Sequence, residues 1–298
     1  MPPLPPPPSA PFEDRVLECA TLARKLAPTS CRAGAFFESN CVWYHGIWPY
    51  LRATGMVSTP TVHAEFYAET LGALAQRDDM RRVLISGSSD STMLQHVFSA
   101  FGAETDPDIY FTDICETPVK LAEWYAAVSG RKITAIATDI LTFKSDKPFD
   151  VICTHAFMGS FNEADRLTLV RNWCDLLRPG GKIVTINRIR PYADADVIRF
   201  DEEQIERFVA KAQAAIEQRP EMFDITADEM AAAARKYGET FEVYPIRSLE
   251  DIDRIFRNNG FDIELLEVRY VAGTENSKGG GPTVPEGAAY AHIIVTRI

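Results

Sequence analysis

The chain has 298 residues, 46% hydrophobic and 24% charged, a globular composition with enough apolar material for a sizeable core. Its formal net charge of −11 disfavours polyanionic partners, so neither nucleic acid nor a membrane surface is expected. No apolar run reaches the roughly 18 residues that span a bilayer, and the opening MPPLPPPPSAP lacks the basic and apolar regions of a secretory leader, so a soluble cytoplasmic protein is expected.

In chain order, residues 1–11 read as a proline-rich, disordered arm, with a docking role for a partner left open. Residues 12–79 read as a helical lid or a subdomain packed on the sheet, and include the aromatic stretch CVWYHGIWPYLR (Cys41–Arg52) and TPTVHAEFYAETLGALAQ, whose Thr-Pro opening suits a helix start. From Arg82 the texture changes. RVLIS, DIYFTDI, KITAIATDI, FDVICTHAF and GGKIVTINRI are short β-branched runs, separated by amphipathic stretches of about a dozen residues, which predicts βαβ units and a parallel sheet. LLRPGGK is expected to end a helix in a Pro-Gly-Gly turn before the fifth strand. Residues 193–245 interrupt this pattern with two helical runs, one opening on a Thr226–Glu229 capping pair. A helix capped by Ser248 and two closing strands, DIELLEVRYV and AYAHIIVTRI, complete the chain. The six cysteines (Cys19, Cys31, Cys41, Cys115, Cys153, Cys174) contain no CxxC pair and read as reduced thiols, with no disulfide framework and no metal site.

Ligands of open parallel sheets sit beyond the carboxyl ends of the strands, near the switch point after the first strand. There the chain reads SGSSDST (Ser86–Thr92). A dinucleotide site needs more glycines, because a pyrophosphate must touch bare backbone. Gly87 stands alone, and the Asp90 carboxylate suits a sulfonium or ammonium group better than a pyrophosphate. Asp113, at the end of the second strand, can accept two ribose hydroxyls, and Asp139, ending the third, can accept an adenine amino hydrogen. For each aspartate alone, capping of the next helix is the competing explanation.

At these residues the chain resembles the class I S-adenosylmethionine-dependent methyltransferases, over 80–192 and again at the closing strands from 261 on. The matching pieces are VLISGSSDS, FTDICETPV, ATDIL, FDVICTHAF and LLRPGGKIVTINR. The resemblance implies a Rossmann-like, mostly parallel seven-stranded α/β sheet with an antiparallel last strand, and a methyltransferase domain over 80–298. It puts Gly87, Ser88, Ser89 and Asp90 along the methionine part of the cofactor S-adenosyl-L-methionine. Asp113 falls on the ribose and Asp139 with Ile140 around the adenine, with Ile114 and His155 among the further cofactor contacts. Two departures stand out. The usual acid two residues before the first glycine is Ile85 here, and later glycines are replaced by Ser89 and Ser91, which makes Asp90 the candidate substitute for the missing acid.

Methyl transfer is an in-line displacement, so the protein aligns the nucleophile, excludes water, and supplies a base only where the nucleophile starts protonated. His155 is the first candidate base, with a wall or cofactor contact as its alternative; Tyr44 and His45 are the second choice. Trp43 belongs to an aromatic group able to cradle a cation, Phe157 to the pocket wall or core, and Arg188 is placed to pair a substrate carboxylate. Met222 and Phe223 are candidates for substrate selection by the insertion. The reading is thus a methyltransferase of small molecules. Three alternatives stay open: transfer of another group from the same sulfonium, an NAD-dependent oxidoreductase, and a non-catalytic partner-binding member of the fold.

Overall fold

The computed structural model describes residues 15–31, 41–57, 59–191, 193–271 and 288–298. The arm expected at 1–11 and residues 272–287, between the two closing strands, lie outside the described residues.

Among the described residues, four α-helices precede the sheet: α1 (Val16–Ser30), α2 (Val42–His45), α3 (Trp48–Ala53) and α4 (Ala64–Ala75). Then β1 (Arg82–Ser86), α5 (Thr92–Ala100), β2 (Asp108–Asp113), α6 (Glu116–Val128), β3 (Thr134–Ala137), β4 (Phe149–His155), α7 (Glu163–Leu176) and β5 (Leu177–Arg188) alternate. The insertion follows as β6 (Ile198–Arg199), α8 (Glu202–Glu217), α9 (Ala227–Thr240) and β7 (Glu242–Val243), and the chain closes with α10 (Leu249–Arg257), β8 (Phe261–Val271) and β9 (Ala288–Arg297).

Seven strands form one sheet in the order β3-β2-β1-β4-β5-β9-β8. β1 to β5 are parallel, and β9 runs antiparallel to both β5 and β8. The fold is therefore the α/β Rossmann-like sheet with one antiparallel strand. β1 is buried at every position after Arg82, as its unbroken apolar run requires of a strand covered on both faces. Leu71, Leu94 and Ala122 from α4, α5 and α6 cover one face; Trp173 and Ile252 from α7 and α10 cover the other. A third core joins Tyr50 and Leu51 of α3 to Ile205, Phe208, Met230 and Tyr237 of the insertion, so the N-terminal helices and the insertion pack against each other.

Local chemistry sets the element ends. Asp201 and Thr226 each close a capping box at the start of α8 and α9, worth about 1 kcal/mol apiece. Ser248 caps α10 by accepting the Asp251 amide at 3.1 Å. The Pro-Gly-Gly stretch departs from expectation. It lies inside β5 rather than before it, because Gly180 takes φ +78° and a side chain at Gly181 would meet the Asp150 carbonyl at 3.1 Å. The strand thus enters the sheet through a register shift opposite Phe149–Val151.

The cysteines correct the spacing argument. Among the described residues, Cys31, Cys41 and Cys115 converge with His45 although none of the three lies within nine residues of another in sequence.

Candidate active site

A cavity of about 900 Å³ opens at the carboxyl ends of β1, β2, β4 and β5, roofed by α2, α3 and α9. Every cofactor, substrate and catalytic candidate named from the sequence borders it, apart from Met222 and Phe223 of the insertion.

The β1 turn is built first. Ser86 is buried and its hydroxyl accepts the Trp173 indole N–H at 2.9 Å. Gly87 then takes φ +68°, and a Cβ there would sit 2.3 Å from the Phe157 ring; only glycine satisfies both the dihedral and the contact. Phe157 in turn packs edge-on against Phe161 at 4.9 Å. Ser88 donates its amide to Asp113 Oδ2 at 3.3 Å and its hydroxyl to the Asp90 carbonyl at 2.8 Å. Ser89 meets the Tyr44 hydroxyl at 2.7 Å. Asp90 is committed within the protein: Oδ2 pairs with buried Arg52 at 2.7 Å, and Oδ1 accepts the Thr92 amide at 2.8 Å. A carboxylate already neutralised in this way starts α5 and ties α3 to it.

Asp113 at the end of β2 accepts two backbone amides, from Ser88 and, through Oδ1, from Cys115 at 2.9 Å. Each oxygen keeps a further lone pair for a ligand hydroxyl. Desolvation pushes its carboxyl up to about 6 against the opposing pull of these amides, so it remains ionised at neutral pH. Ile114 beside it exposes 39% of its apolar surface. Asp139 is half-buried and caps Leu141 through a 2.9 Å bond to Oδ1, and Ile140 is buried behind it. These residues form the wall that the ring system and ribose of an adenosine would need: an apolar face beside carboxylate acceptors.

His155 ends β4, and the next residue, Ala156, is held at φ +52°, a conformation costly for a residue with a Cβ. Tyr67 donates its hydroxyl proton to the Thr154 carbonyl at 2.9 Å and lies 3.1 Å from His155 Nδ1. A carbonyl has no proton to give, so Nδ1–H is the donor to Tyr67 and Nε2 carries the lone pair. His155 Nε2 is buried with no hydrogen-bond partner among the described residues. Desolvation, reinforced by His63, His96 and His292, holds this imidazole well below its ordinary range and so neutral.

Tyr44 stacks on Trp48 and Tyr237 at 5.2 and 6.0 Å and meets Trp43 edge-on at 5.6 Å. Burial raises its phenol well above the ordinary value, so it acts as a donor or wall rather than a base. His45 turns Nδ1 toward Cys31 Sγ at 3.5 Å, which sets it apart from the other catalytic candidates.

Sequence reasoning missed Asn187 and Arg190. Both are buried beside the cavity, and Asn187 Oδ1 and Arg190 Nη1 lack a hydrogen-bond partner among the described residues. Burial, with repulsion from Arg188, lowers the Arg190 guanidinium to about 9, still cationic at neutral pH. The available signal was the pair of arginines in NRIRP; the eye falls on Arg188, the last residue of β5, whereas Arg190 carries the unused donor. Met222 and Phe223 do not border the cavity. Phe223 packs on Tyr50 in the third core, and the insertion instead presents Tyr237, Thr240 and Phe241.

Among solved structures, an S-adenosylmethionine-dependent methyltransferase from Clostridium acetobutylicum ATCC 824 superposes with a TM-score of 0.51 over 83% of this chain and 96% of its own, at 11% identity. The chain has the class I methyltransferase fold. Two further methyltransferase structures fall just below that likeness. Magnesium protoporphyrin IX methyltransferase from Synechocystis PCC 6803, with bound S-adenosylmethionine, gives 0.48 over 94% of this chain and 97% of that one at 11% identity. Mitomycin 7-O-methyltransferase gives 0.49 over 97% and 69% at 12% identity. No family model and no curated protein sequence matches the chain. Within the methyltransferase fold, the cavity described above occupies the switch point between β1 and β4, where strand order reverses.

Proposed function

We propose that this protein is an S-adenosylmethionine-dependent methyltransferase whose substrate is a small molecule bearing an acidic group and a protonated nucleophile. One observation carries this: a single cavity holds a desolvated carboxylate, Asp113, together with the unpartnered His155 Nε2 and Arg190 Nη1. The residues fit a nucleoside cofactor: Asp113 would hold the ribose hydroxyls, Ile114 and Ile140 the adenine faces, Asp139 its amino group, and the Gly87–Ser89 turn the amino-acid end. Asp90, being paired with Arg52, supports the turn rather than meeting the ligand. When bound, the cofactor supplies a methyl carbon already activated by sulfonium.

The remaining work falls to the chain. His155, locked in one tautomer by Tyr67, accepts the nucleophile's proton at Nε2. Arg190 and Asn187 orient the substrate through its acidic group. Trp43, Tyr44, Tyr237 and Phe157 exclude water. The −11 net charge supports a small molecule over nucleic acid as substrate, and no helix among the described residues is long and apolar enough to cross a membrane.

The test is mass spectrometry of the nucleoside released when the purified chain, S-adenosylmethionine and a panel of small phenolic and carboxylic acids are incubated together. S-adenosylhomocysteine formed with one acid and not with its ester is the expected result. Methylthioadenosine would mean that another bond of the sulfonium breaks. Absence of any cofactor binding would remove the proposal.

A further inference from the structure

Cys31, at the end of α1, Cys41 and His45, at the two ends of α2, and Cys115, at the start of α6, bring four soft donor atoms within 4.8 Å of one another. All four residues are buried. Cys31 Sγ lies 3.5 Å from His45 Nδ1 and 3.6 Å from Cys115 Sγ, and Cys41 Sγ lies 3.5 Å from Cys115 Sγ. A tetrahedral zinc with bonds of about 2.3 Å to sulfur and about 2.05 Å to nitrogen needs sulfur–sulfur edges of about 3.8 Å and sulfur–nitrogen edges of about 3.5 Å. These three edges match that tetrahedron to within a few tenths of an ångström, and the remaining edges stay within 4.8 Å. Nothing in apolar packing asks three thiols and an imidazole nitrogen to share one point.

We propose that Cys31, Cys41, His45 and Cys115 form a closed zinc site that clamps the N-terminal helices onto the nucleoside crevice. Cys41 and His45 stand one helical turn apart, and so present donors on the same side. The surroundings suit thiolates. Thr117 donates its amide to Cys115 Sγ at 3.5 Å, and its hydroxyl lies 3.1 Å from Cys31 Sγ. Cys115 also caps α6, whose N-terminal dipole favours a negative sulfur. Binding forms three zinc–sulfur bonds and one zinc–nitrogen bond, and releases three thiol protons to solvent; no oxidant is required. With four protein donors the metal has no open position, which makes it structural rather than catalytic.

The clamp reaches the crevice by one step. The amide of Cys115 holds Asp113 Oδ1 at 2.9 Å, so fixing the sulfur fixes the carboxylate. The zinc assignment itself stands apart from the methyl-transfer proposal; only this affinity consequence rests on it.

The experiment measures the metal content of the full-length protein purified from zinc-supplemented culture, then strips the metal and titrates cobalt(II) into the reduced chain. About one zinc per chain is expected, along with the thiolate charge-transfer and intense visible bands of tetrahedral cobalt. Cys41→Ser and Cys115→Ser should lose both, and Cys174→Ser should keep both. Should the serine variants fold poorly, zinc released from the wild type in step with thiol modification gives the same answer. S-adenosylhomocysteine affinity should fall roughly tenfold on stripping, the size of an ordinary coupling between sites. No zinc above background and no cobalt spectrum after reconstitution would overturn the site, as would a native Cys41–Cys115 disulfide or full zinc retention by Cys115→Ser. Zinc present at one per chain with unchanged nucleoside affinity would overturn the clamp.

Discussion

At the tips of β1 and β2 the polar side chains already have protein partners: Asp113 holds two backbone amides, Asp90 pairs with Arg52, and Ser89 meets Tyr44. At the tips of β4 and β5 the opposite holds, with His155 Nε2, Asn187 Oδ1 and Arg190 Nη1 buried and without hydrogen-bond partners among the described residues. Orphaned buried polar atoms are rare and costly, roughly 1–3 kcal/mol each. A wall complete in itself presents a fixed mould to whatever binds there. A wall with open valences is completed only by a ligand, and it selects that ligand by charge and proton content.

The contrast can be broken by substitution on either side. His155→Gln should lower kcat by about 100- to 10,000-fold, the usual worth of a general base, while S-adenosylhomocysteine affinity, read by calorimetry, stays unchanged; a parallel loss of affinity would move His155 to the cofactor wall. Its imidazole is held well below the ordinary range by desolvation. The wild-type rate should therefore stay flat through neutral pH and fall only at pH values below the ordinary imidazole pKa of about 6.5.

Asp113→Ala should do the reverse. Two charge-assisted hydrogen bonds of about 1.5–3 kcal/mol each are lost, so nucleoside affinity should drop at least about 100-fold, with the thermal midpoint as the check on folding. Arg190→Met should raise KM for the acidic substrate by about 10- to 100-fold with kcat little changed; an unaltered KM would leave the acidic group of the substrate without a reader. Tyr44→Phe removes a single neutral hydrogen bond to Ser89, and about fivefold weaker nucleoside binding is expected.

Acid sensitivity has two contributions of opposite sign. Burial, and for His63 also the charge of His292, lowers His63 to about 4; burial, with Arg52 repulsion, lowers His96 to about 4. Unfolded histidines titrate at 6.5 and so take up protons first as pH falls. The stability that these residues contribute is thus complete above pH 6.5 and is lost as pH drops toward about 4. Asp113, raised from 3.8 to about 6, runs the other way and offsets part of that loss. A thermal midpoint that rises on acidification through this range would contradict the two histidine shifts.

The sheet was legible because its signals are local: uninterrupted β-branched runs and amphipathic helices of about a dozen residues, and the Thr226 and Ser248 caps are used as written. The acidic strand ends were legible for a related reason, since topology fixes where the tip of a parallel strand points. Features that depend on two distant segments were not legible. Nothing around Asp90 announces Arg52, 38 residues away. Cysteine spacing gave no hint of the thiol–imidazole cluster, because its members come from three elements, with Cys41 and Cys115 74 positions apart. The importance of Arg190 over Arg188 appears only once neighbours have been assigned atom by atom.

Ile198 and Arg199 pair with Val243 and Glu242, so everything between them leaves the main body and returns to it through a single doorway. The segment's α9 nevertheless stacks Tyr237 on Tyr44, the residue that meets Ser89 in the β1 turn. Exchanging the α8–α9 pair would repaint the mouth of the pocket and would require α2 and α3 to repack with it.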